Sequence, residues 1–130
     1  ASVCREEWKD SADVVLCDVP CSGLGIIRKK PEIRFKNPDE IRTLPEIQAK
    51  ILANCAQYVK KGGTLVYSTC TILQRENEDV VRAFLTENPE FEAVSWTHPV
   101  CGERADGMVT LLPPVHNTDG FFIAKMHRKV

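Results

Sequence analysis

Two short apolar runs, each followed by a polar turn that contains a cysteine, restrict the fold more than any other feature of this sequence. Residues 12–18 read ADVVLCD, and residues 64–69 read TLVYST. Runs of this length and composition are typical of buried strands in a parallel sheet. Cys21 follows the first strand, and Cys70 follows the second about fifty residues later. The sequence therefore predicts two strands whose carboxyl ends each deliver a thiol.

Helical patterns lie between and after these two strands. An asparagine, a proline and two acids at residues 37–40 are typical of a helix start. A second possible capping box spans residues 43–46. One apolar helical face follows, formed by Ile47, Ile51, Leu52, Cys55 and Val59. Two lysines and two glycines at residues 60–63 predict the end of this helix, and residues 76–87 predict the next one.

Three weaker strand candidates, at residues 91–96, 108–112 and 121–126, close the chain. The order strand, helix, strand, helix, strands indicates the α/β class, as one half of an open sheet. Ligands bind such sheets beyond the carboxyl ends of the strands. If the first two strands are neighbours, we expect Asp18, Cys21 and Cys70 to converge on one pocket.

Length and apolar content bound the class of protein. The chain has 130 residues, enough for one domain, and it begins with alanine, so we interpret it as a piece of a longer protein. No apolar run approaches the roughly 20 residues that span a bilayer, so we expect no membrane partner.

The basic residues are concentrated in one segment. Five of them share residues 28–36 with a single acid, which makes this segment +4 in a chain of net charge −1. They are Arg28, Lys29, Lys30, Arg34 and Lys36. A basic loop on a mildly acidic body is typical of a site for a polyanion, so we expect these residues to contact nucleic acid.

The six cysteines divide into two groups, and we interpret all of them as reduced thiols of a cytoplasmic protein. Cys17 and Cys55 lie in apolar segments and are assigned to packing, as are Cys4 and Cys101. Cys21 and Cys70 follow strand ends beside turn residues, which favours reactive thiols. No C-x-x-C pair occurs and the histidines are scattered, so no metal site is expected.

The two cysteine turns carry specific sequence motifs. Residues 18–23, DVPCSG, resemble the motif that ends the fourth strand in the Sun/Nop family of RNA cytosine-5 methyltransferases. Residues 61–71, KGGTLVYSTCT, resemble the fifth strand of that family with its Thr-Cys motif. ENE follows at residues 76–78 as in the family, and TDGFFIA at residues 118–124 looks like its closing strand. The resemblance covers nearly the whole chain.

The resemblance implies the C-terminal half of a Rossmann-like fold dependent on S-adenosylmethionine, a mostly parallel sheet with an antiparallel closing strand. Family members carry a glycine-rich cofactor loop and acids on earlier strands, which this sequence lacks. Residues 1–130 are thus expected to form a partial catalytic domain that requires its N-terminal half as a partner. Of the cofactor-binding residues, Asp18 and Pro20 remain, so we expect the chain alone to bind S-adenosylmethionine weakly.

The resemblance also implies a reaction, methylation of carbon 5 of cytosine in RNA, with small-subunit ribosomal RNA as the expected substrate. Cys70 would be the nucleophile that adds to carbon 6 and makes carbon 5 reactive. Cys21 would assist release of the product, and Asp18 would hydrogen-bond the ring nitrogen beside the exocyclic amine.

Three alternatives remain open from the residues themselves. DNA cytosine methylation would make Cys21 the nucleophile, but the Thr-Cys motif disfavours it. A non-catalytic RNA-binding fragment would account for the missing cofactor loop. A thiol redox protein would use a Cys21–Cys70 disulfide, although no redox motif supports it. Phe121 and Phe122 are interpreted as core residues rather than as a platform for stacked bases.

Overall fold

The computed structural model describes residues 5–25, 38–99, 101–112 and 119–130. Within these ranges the chain forms two helices and seven strands, with single 3-10 turns at Glu6–Trp8 and Gln74–Glu76. In chain order they are β1 (Ala12–Asp18), α1 (Pro38–Ala56), β2 (Val59–Thr69), α2 (Glu78–Glu87), β3 (Phe91–Ala93), β4 (Trp96–His98), β5 (Gly102–Arg104), β6 (Met108–Leu111) and β7 (Phe121–Arg128).

Five of these strands form one sheet in which β1, β2, β7 and β3 are successive neighbours. The predicted parallel pair is present, because β1 runs parallel to β2 with Asp18 opposite Ser68. The closing strand β7 is antiparallel to β2, as predicted, and it also pairs antiparallel with β3 and β6. The α/β class is therefore confirmed. The single strand predicted at residues 91–96 was wrong in extent, since the segment divides into β3 and β4. β4 belongs to a separate sheet, in which it pairs with β5.

Helix α1 begins at Pro38, where the sequence predicted a start, and has two acids in its first turn. The second capping box was wrong, because Pro45 lies inside the helix and the Thr43 hydroxyl donates to Glu40 O at 2.9 Å. Pro45 lies beyond the first turn and has no N–H to donate, so one backbone bond of the helix is missing there. The helix also ends earlier than predicted, at Ala56, because residues from Val59 onward already pair in β2.

The two helices pack on one face of the sheet and enclose the core. Their fully buried side chains include Leu52 of α1 and Val81 of α2, which belong to one cluster with Tyr67, Phe122 and Met126 of the sheet. The buried face of α1 consists of Gln48, Leu52 and Ala56. It is rotated from the predicted face, so that Ile47 is 42% exposed.

The opposite face of the sheet has no helix against it among the described residues. β1 was predicted to be a buried strand, and this is wrong for most of its length. Val14 is 64% exposed and Leu16 68% exposed, whereas Cys17 is buried on the helix side. The reason is that β1 is the outermost strand of the sheet as far as the described residues show, and it alternates its side chains between a covered face and an open one. Neither described helix is long and apolar enough to cross a membrane.

The position of the buried face of α1 can be tested by substitution. We expect Leu52→Ala to lower the free energy of unfolding by about 2–5 kcal/mol, because it leaves a cavity under the sheet. Ile47→Ala, on the same helix, is the matched control and should cost less than about 1 kcal/mol. Urea unfolding monitored by circular dichroism measures both, and equal losses would contradict the assignment of the buried face.

Candidate active site

The turns that follow β1 and β2 meet at the carboxyl edge of the sheet. Because the two strands are parallel and in register there, the chain leaves both at the same level. Cys21 Sγ lies 2.9 Å from Cys70 Sγ, and the backbone N–H of Cys70 donates to Cys21 Sγ at 3.3 Å. The convergence that the sequence predicted is therefore present in the structure, and both cysteines are free thiols.

A cavity of about 400 Å³ opens beside the two sulfurs. This volume is in the range of small-molecule sites. Its walls come from both turns and from the strands β6 and β7: Asp18, Val19, Pro20, Cys21, Ser68, Thr69, Cys70, Leu111, Phe121, Phe122 and Ile123. All the residues predicted as catalytic or cofactor-binding line this cavity. Phe122 is fully buried, as predicted, whereas Phe121 is only half-buried and contributes to the wall.

Asp18 lies on the open face of the sheet, and its side chain is exposed. The Ser68 hydroxyl, directly opposite on β2, donates to Asp18 Oδ1 at 3.1 Å. This hydrogen bond holds the carboxylate at the rim of the cavity, where it can meet a polar group of a ligand.

Cys21 is held in its protonated form by its surroundings. Burial, together with the hydrogen bond to the Cys70 sulfur, raises the pKa of Cys21 to about 12. A thiolate is the form of cysteine that attacks an electrophile. Cys21 is therefore protonated at neutral pH and is not suited to act as a nucleophile there.

A buried polar cluster lies directly behind the two cysteines, and the sequence reasoning gave it no role. Its members are fully buried or nearly so and are linked by hydrogen bonds: Ser22, Gln48, Thr69, Thr71, Glu76 and Asn77. Ser22 and Thr71 each follow one of the cysteines, and Glu76 begins the ENE motif, so their positions in the sequence could have indicated them.

A close backbone contact fixes the outer side of the Cys21 turn. Gly25 N–H donates to Cys70 O at 2.9 Å, and Gly120 N–H donates to Gly25 O at 2.6 Å. A Cβ atom at Gly25 would lie 2.0 Å from Gly120 O, so only glycine allows this approach. The turn after β1 is thus fastened both to the Cys70 turn and to the residue that precedes β7.

The other cysteines lie away from the cavity or outside the described residues. Cys17 is in the core, as predicted, and contacts Cys55 of α1. Their hydrogen bond lowers the pKa of Cys55 to about 7, while the same bond and burial raise that of Cys17. Cys101 is half-buried, and its N–H donates to His98 Nδ1 at 3.2 Å. Cys4 is not among the described residues.

The predicted RNA-binding residues also fall outside the described ranges. They are Arg28, Lys29, Lys30, Arg34 and Lys36, all between residues 26 and 37. Their role stays a prediction. Where the structure describes the chain, it has no group of three or more histidine, cysteine or acidic side chains that could hold a metal ion.

Comparison with known proteins gives concordant results. Residues 2–127 match the family model of the 16S rRNA methyltransferase RsmB/F. The probable ribosomal RNA small subunit methyltransferase B of Bacillus subtilis is 46% identical over 123 residues, which are 90% of this chain and 28% of that protein.

Two solved structures extend the likeness to the fold. The crystal structure of PH0851 superposes with a TM-score of 0.85 at 38% identity, over 92% of this chain and 27% of that one. The crystal structure of NSun6 from Pyrococcus horikoshii with SFG superposes with a TM-score of 0.73 at 27% identity, over 87% of this chain and 29% of that one. These likenesses confirm the Rossmann-like fold. The chain spans less than a third of the length of each of these three proteins.

The proton on Cys21 gives a testable pH dependence. We expect the rate of iodoacetamide labelling at Cys21 to rise about tenfold per pH unit from pH 7 to 10, because the thiolate fraction of a group with a raised pKa is still increasing there. Peptide mass spectrometry measures the rate. The same residue in urea-unfolded protein is the control, and its rate should level off above about pH 8.5. A plateau below pH 9 in the folded protein would contradict the assignment.

Proposed function

Because the chain belongs to the RsmB/F family of 16S rRNA methyltransferases, we propose that it methylates carbon 5 of cytosine in RNA, with S-adenosylmethionine as methyl donor. The observation that carries the proposal is the pair of free sulfurs, 2.9 Å apart, beside Asp18 in an open cavity. Small-subunit ribosomal RNA is the proposed substrate, as the names of the family and of the Bacillus subtilis relative suggest.

We further propose that the chain forms the C-terminal part of the catalytic domain. Two observations support this. The chain covers only 28% of the Bacillus subtilis relative. The open face of the sheet also exposes Val14 and Leu16, apolar side chains of the kind that a second layer of helices covers in α/β folds.

The proposed first step is addition of the Cys70 sulfur to carbon 6 of the target cytosine. Cys70 attacks as a thiolate. Its sulfur donates an electron pair to form the C–S bond, the electrons of the C5–C6 double bond make carbon 5 nucleophilic, and the ring nitrogen takes up the proton that the thiol has lost. A hydrogen bond from the protonated ring nitrogen to Asp18 balances the charge that develops in the ring. The carboxylate is suited to this role, since it stands at the rim of the cavity with Oδ1 held by Ser68. Such assistance typically contributes about a hundred- to ten-thousand-fold in rate.

When bound, S-adenosylmethionine would supply the methyl group that carbon 5 accepts. The residues present fit one side of its site, since Asp18 and Pro20 line a cavity whose walls are otherwise largely apolar. Asp18 offers negative charge to a cationic donor, and we propose that the remaining contacts come from other parts of the enzyme.

Release requires that carbon 5 lose its proton and that the C–S bond break. We propose that Cys21 serves both needs. It lies 2.9 Å from the departing Cys70 sulfur and holds a proton, because its pKa is raised to about 12. Transfer of that proton to Cys70 leaves a Cys21 thiolate, a strong base that takes the proton from carbon 5. The C5–C6 double bond then re-forms, the ring nitrogen returns its proton to solvent, and both cysteines return to thiols. This chemistry needs reduced cysteines, which favours the cytoplasm as the proposed location.

Reaching carbon 6 requires that the base leave its stack, so the proposed target is an unpaired or unstacked cytosine. The basic residues Arg28, Lys29, Lys30, Arg34 and Lys36 are proposed to contact the phosphates around it.

Salt dependence tests the basic segment. In the full-length enzyme, Lys29→Ala with Lys30→Ala should reduce the slope of log affinity against log salt by roughly 0.7 to 1 for each lost phosphate contact. The control is Lys50→Ala with Lys129→Ala, which makes the same change in net charge at exposed positions. Fluorescence anisotropy with labelled RNA measures the slope. An unchanged slope in the first pair would exclude these lysines from the interface.

The two cysteine roles are separated by trapping the covalent intermediate. In the full-length enzyme, Cys21→Ala should allow attack and methyl transfer but stop release. The protein should then remain joined to its RNA as a slow band in denaturing electrophoresis. Cys70→Ala should form neither product nor band, because the attacking sulfur is missing.

The double variant is the decisive control, and adding Cys70→Ala to Cys21→Ala should abolish the band. A band in the single variant Cys70→Ala would overturn the assignment of the nucleophile and favour the DNA-type role of Cys21. RNA binding without product or band in any variant would favour a non-catalytic RNA-binding protein.

A further inference from the structure

Glu76 is a fully buried carboxylate that accepts hydrogen bonds from both cysteine turns. Its Oε1 accepts from the backbone N–H of Ser22 at 2.8 Å, and its Oε2 accepts from the Ser22 hydroxyl at 2.8 Å. The Thr71 hydroxyl lies 3.3 Å from the same Oε2. Since Ser22 follows Cys21 and Thr71 follows Cys70, one side chain connects the residues next to both thiols.

A direct bridge between the turns completes this arrangement. The hydroxyls of Ser22 and Thr71 lie 2.8 Å apart, so the two residues also bond to each other. Gln48 reaches in from α1, and its Nε2 donates to Glu76 Oε1 at 3.0 Å and to Pro20 O at 2.9 Å. The carboxylate thus gathers groups from the turn after β1, the turn after β2 and a helix.

Glu76 is itself held firmly, so it can act as a fixed point. The buried Tyr67 hydroxyl donates to Glu76 O at 2.6 Å. The adjacent Asn77 accepts from the Thr69 hydroxyl at 2.6 Å and donates through Nδ2 to Thr71 O at 3.0 Å. The backbone on both sides of Cys70 is therefore tied to residues 76 and 77.

Resting on the proposed function, we infer that Glu76 is a positioning residue that sets the distance between the Cys21 and Cys70 sulfurs. It is not among the cavity walls, so it acts through the two turns and not on the substrate. Release by proton transfer between the two sulfurs requires them to be in contact, and a misplacement of 1 Å can cost about a hundredfold in rate. A side chain that only stabilised the fold would leave this distance unchanged.

The substitutions that test the inference differ in what they leave at position 76. Glu76→Ala removes the acceptor on which the groups from Ser22, Thr71 and Gln48 converge. Glu76→Gln is the conservative variant, because its oxygen can keep the place of Oε1 while its NH₂ group donates to the Ser22 hydroxyl. Val81→Ala, in the core on the following helix, is the matched control for destabilisation, because an apolar side chain makes no hydrogen bond to either turn.

The proximity of the two sulfurs can be tested without any methyl transfer, through their tendency to form a disulfide. In a buffer of reduced and oxidised glutathione, one thiol displaces glutathione from the oxidised form to give a mixed disulfide. The second thiol then displaces the bound glutathione, so that two thiols become one disulfide and two reduced glutathiones are released. The equilibrium fraction, determined by peptide mass spectrometry of the full-length protein, gives the effective concentration of Cys21 toward Cys70.

We expect Glu76→Ala to lower this effective concentration by about tenfold or more, because the turns separate. Glu76→Gln and Val81→Ala should stay within about threefold of the wild type. If Glu76→Ala does not fold, Ser22→Ala removes the hydroxyl bonds to Thr71 and to Glu76 but keeps the backbone N–H bond to Glu76, and it should still lower the value by more than threefold. An unchanged effective concentration in Glu76→Ala would overturn the inference. If Ser22→Ala replaces that variant, an unchanged value there would overturn it too. An equal loss in Val81→Ala would also overturn it.

Kinetics separate this inference from the proposed function. Glu76→Ala should lower kcat while leaving KM for RNA within about twofold, and Glu76→Gln should restore kcat. A loss of RNA affinity in place of kcat would contradict a role in setting the cysteines. Failure of the wild-type enzyme to methylate cytosine would overturn the proposed function, while the disulfide measurement would still decide the role of Glu76.

Discussion

Parallel pairing between β1 and β2 sets Asp18 opposite Ser68, and every feature of the site depends on that register. Two chain segments that leave a sheet side by side bring their first few residues together without a long loop. A shift of β1 by one residue would place Asp18 on the face that the helices cover. It would also place the core side chains of the strand on the open face, because side chains alternate between the faces of a strand. Burial of Cys17, Leu65 and Tyr67 under the helices prevents that shift.

The meeting of the two turns creates a second constraint, since each turn brings polar backbone groups into a buried space. Buried polar groups cost free energy unless they are hydrogen-bonded. Glu76 and its partners satisfy these groups from a position behind the thiols, and Gly25 closes the junction on the outer side through Cys70 O. The side facing the cavity is left to the reactive groups.

Proximity of two sulfurs does not by itself make a site, as the two cysteine pairs demonstrate. Cys17 and Cys55 also share a hydrogen bond that moves their pKa values in opposite directions, yet they lie between strand and helix in the core. Cys21 and Cys70 lie past the strand ends, where a cavity of about 400 Å³ admits a ligand. Their position in the fold, more than their contact, distinguishes them.

The sequence by itself determined the order of β1, α1, β2, α2 and β7 and the places where the thiols follow the strands, because apolar periodicity, prolines and glycines act over a few residues. It also located Asp18, Cys21 and Cys70 through local motifs. Only the tertiary structure decided which side of α1 is buried, that Val14 and Leu16 are exposed, and that Glu76 bonds to Ser22, more than fifty positions earlier. These depend on which surfaces meet and on which buried donors need an acceptor. No local sequence pattern indicates which surfaces meet or which buried donors need an acceptor, since the partners are distant in sequence and are brought together only by the sheet.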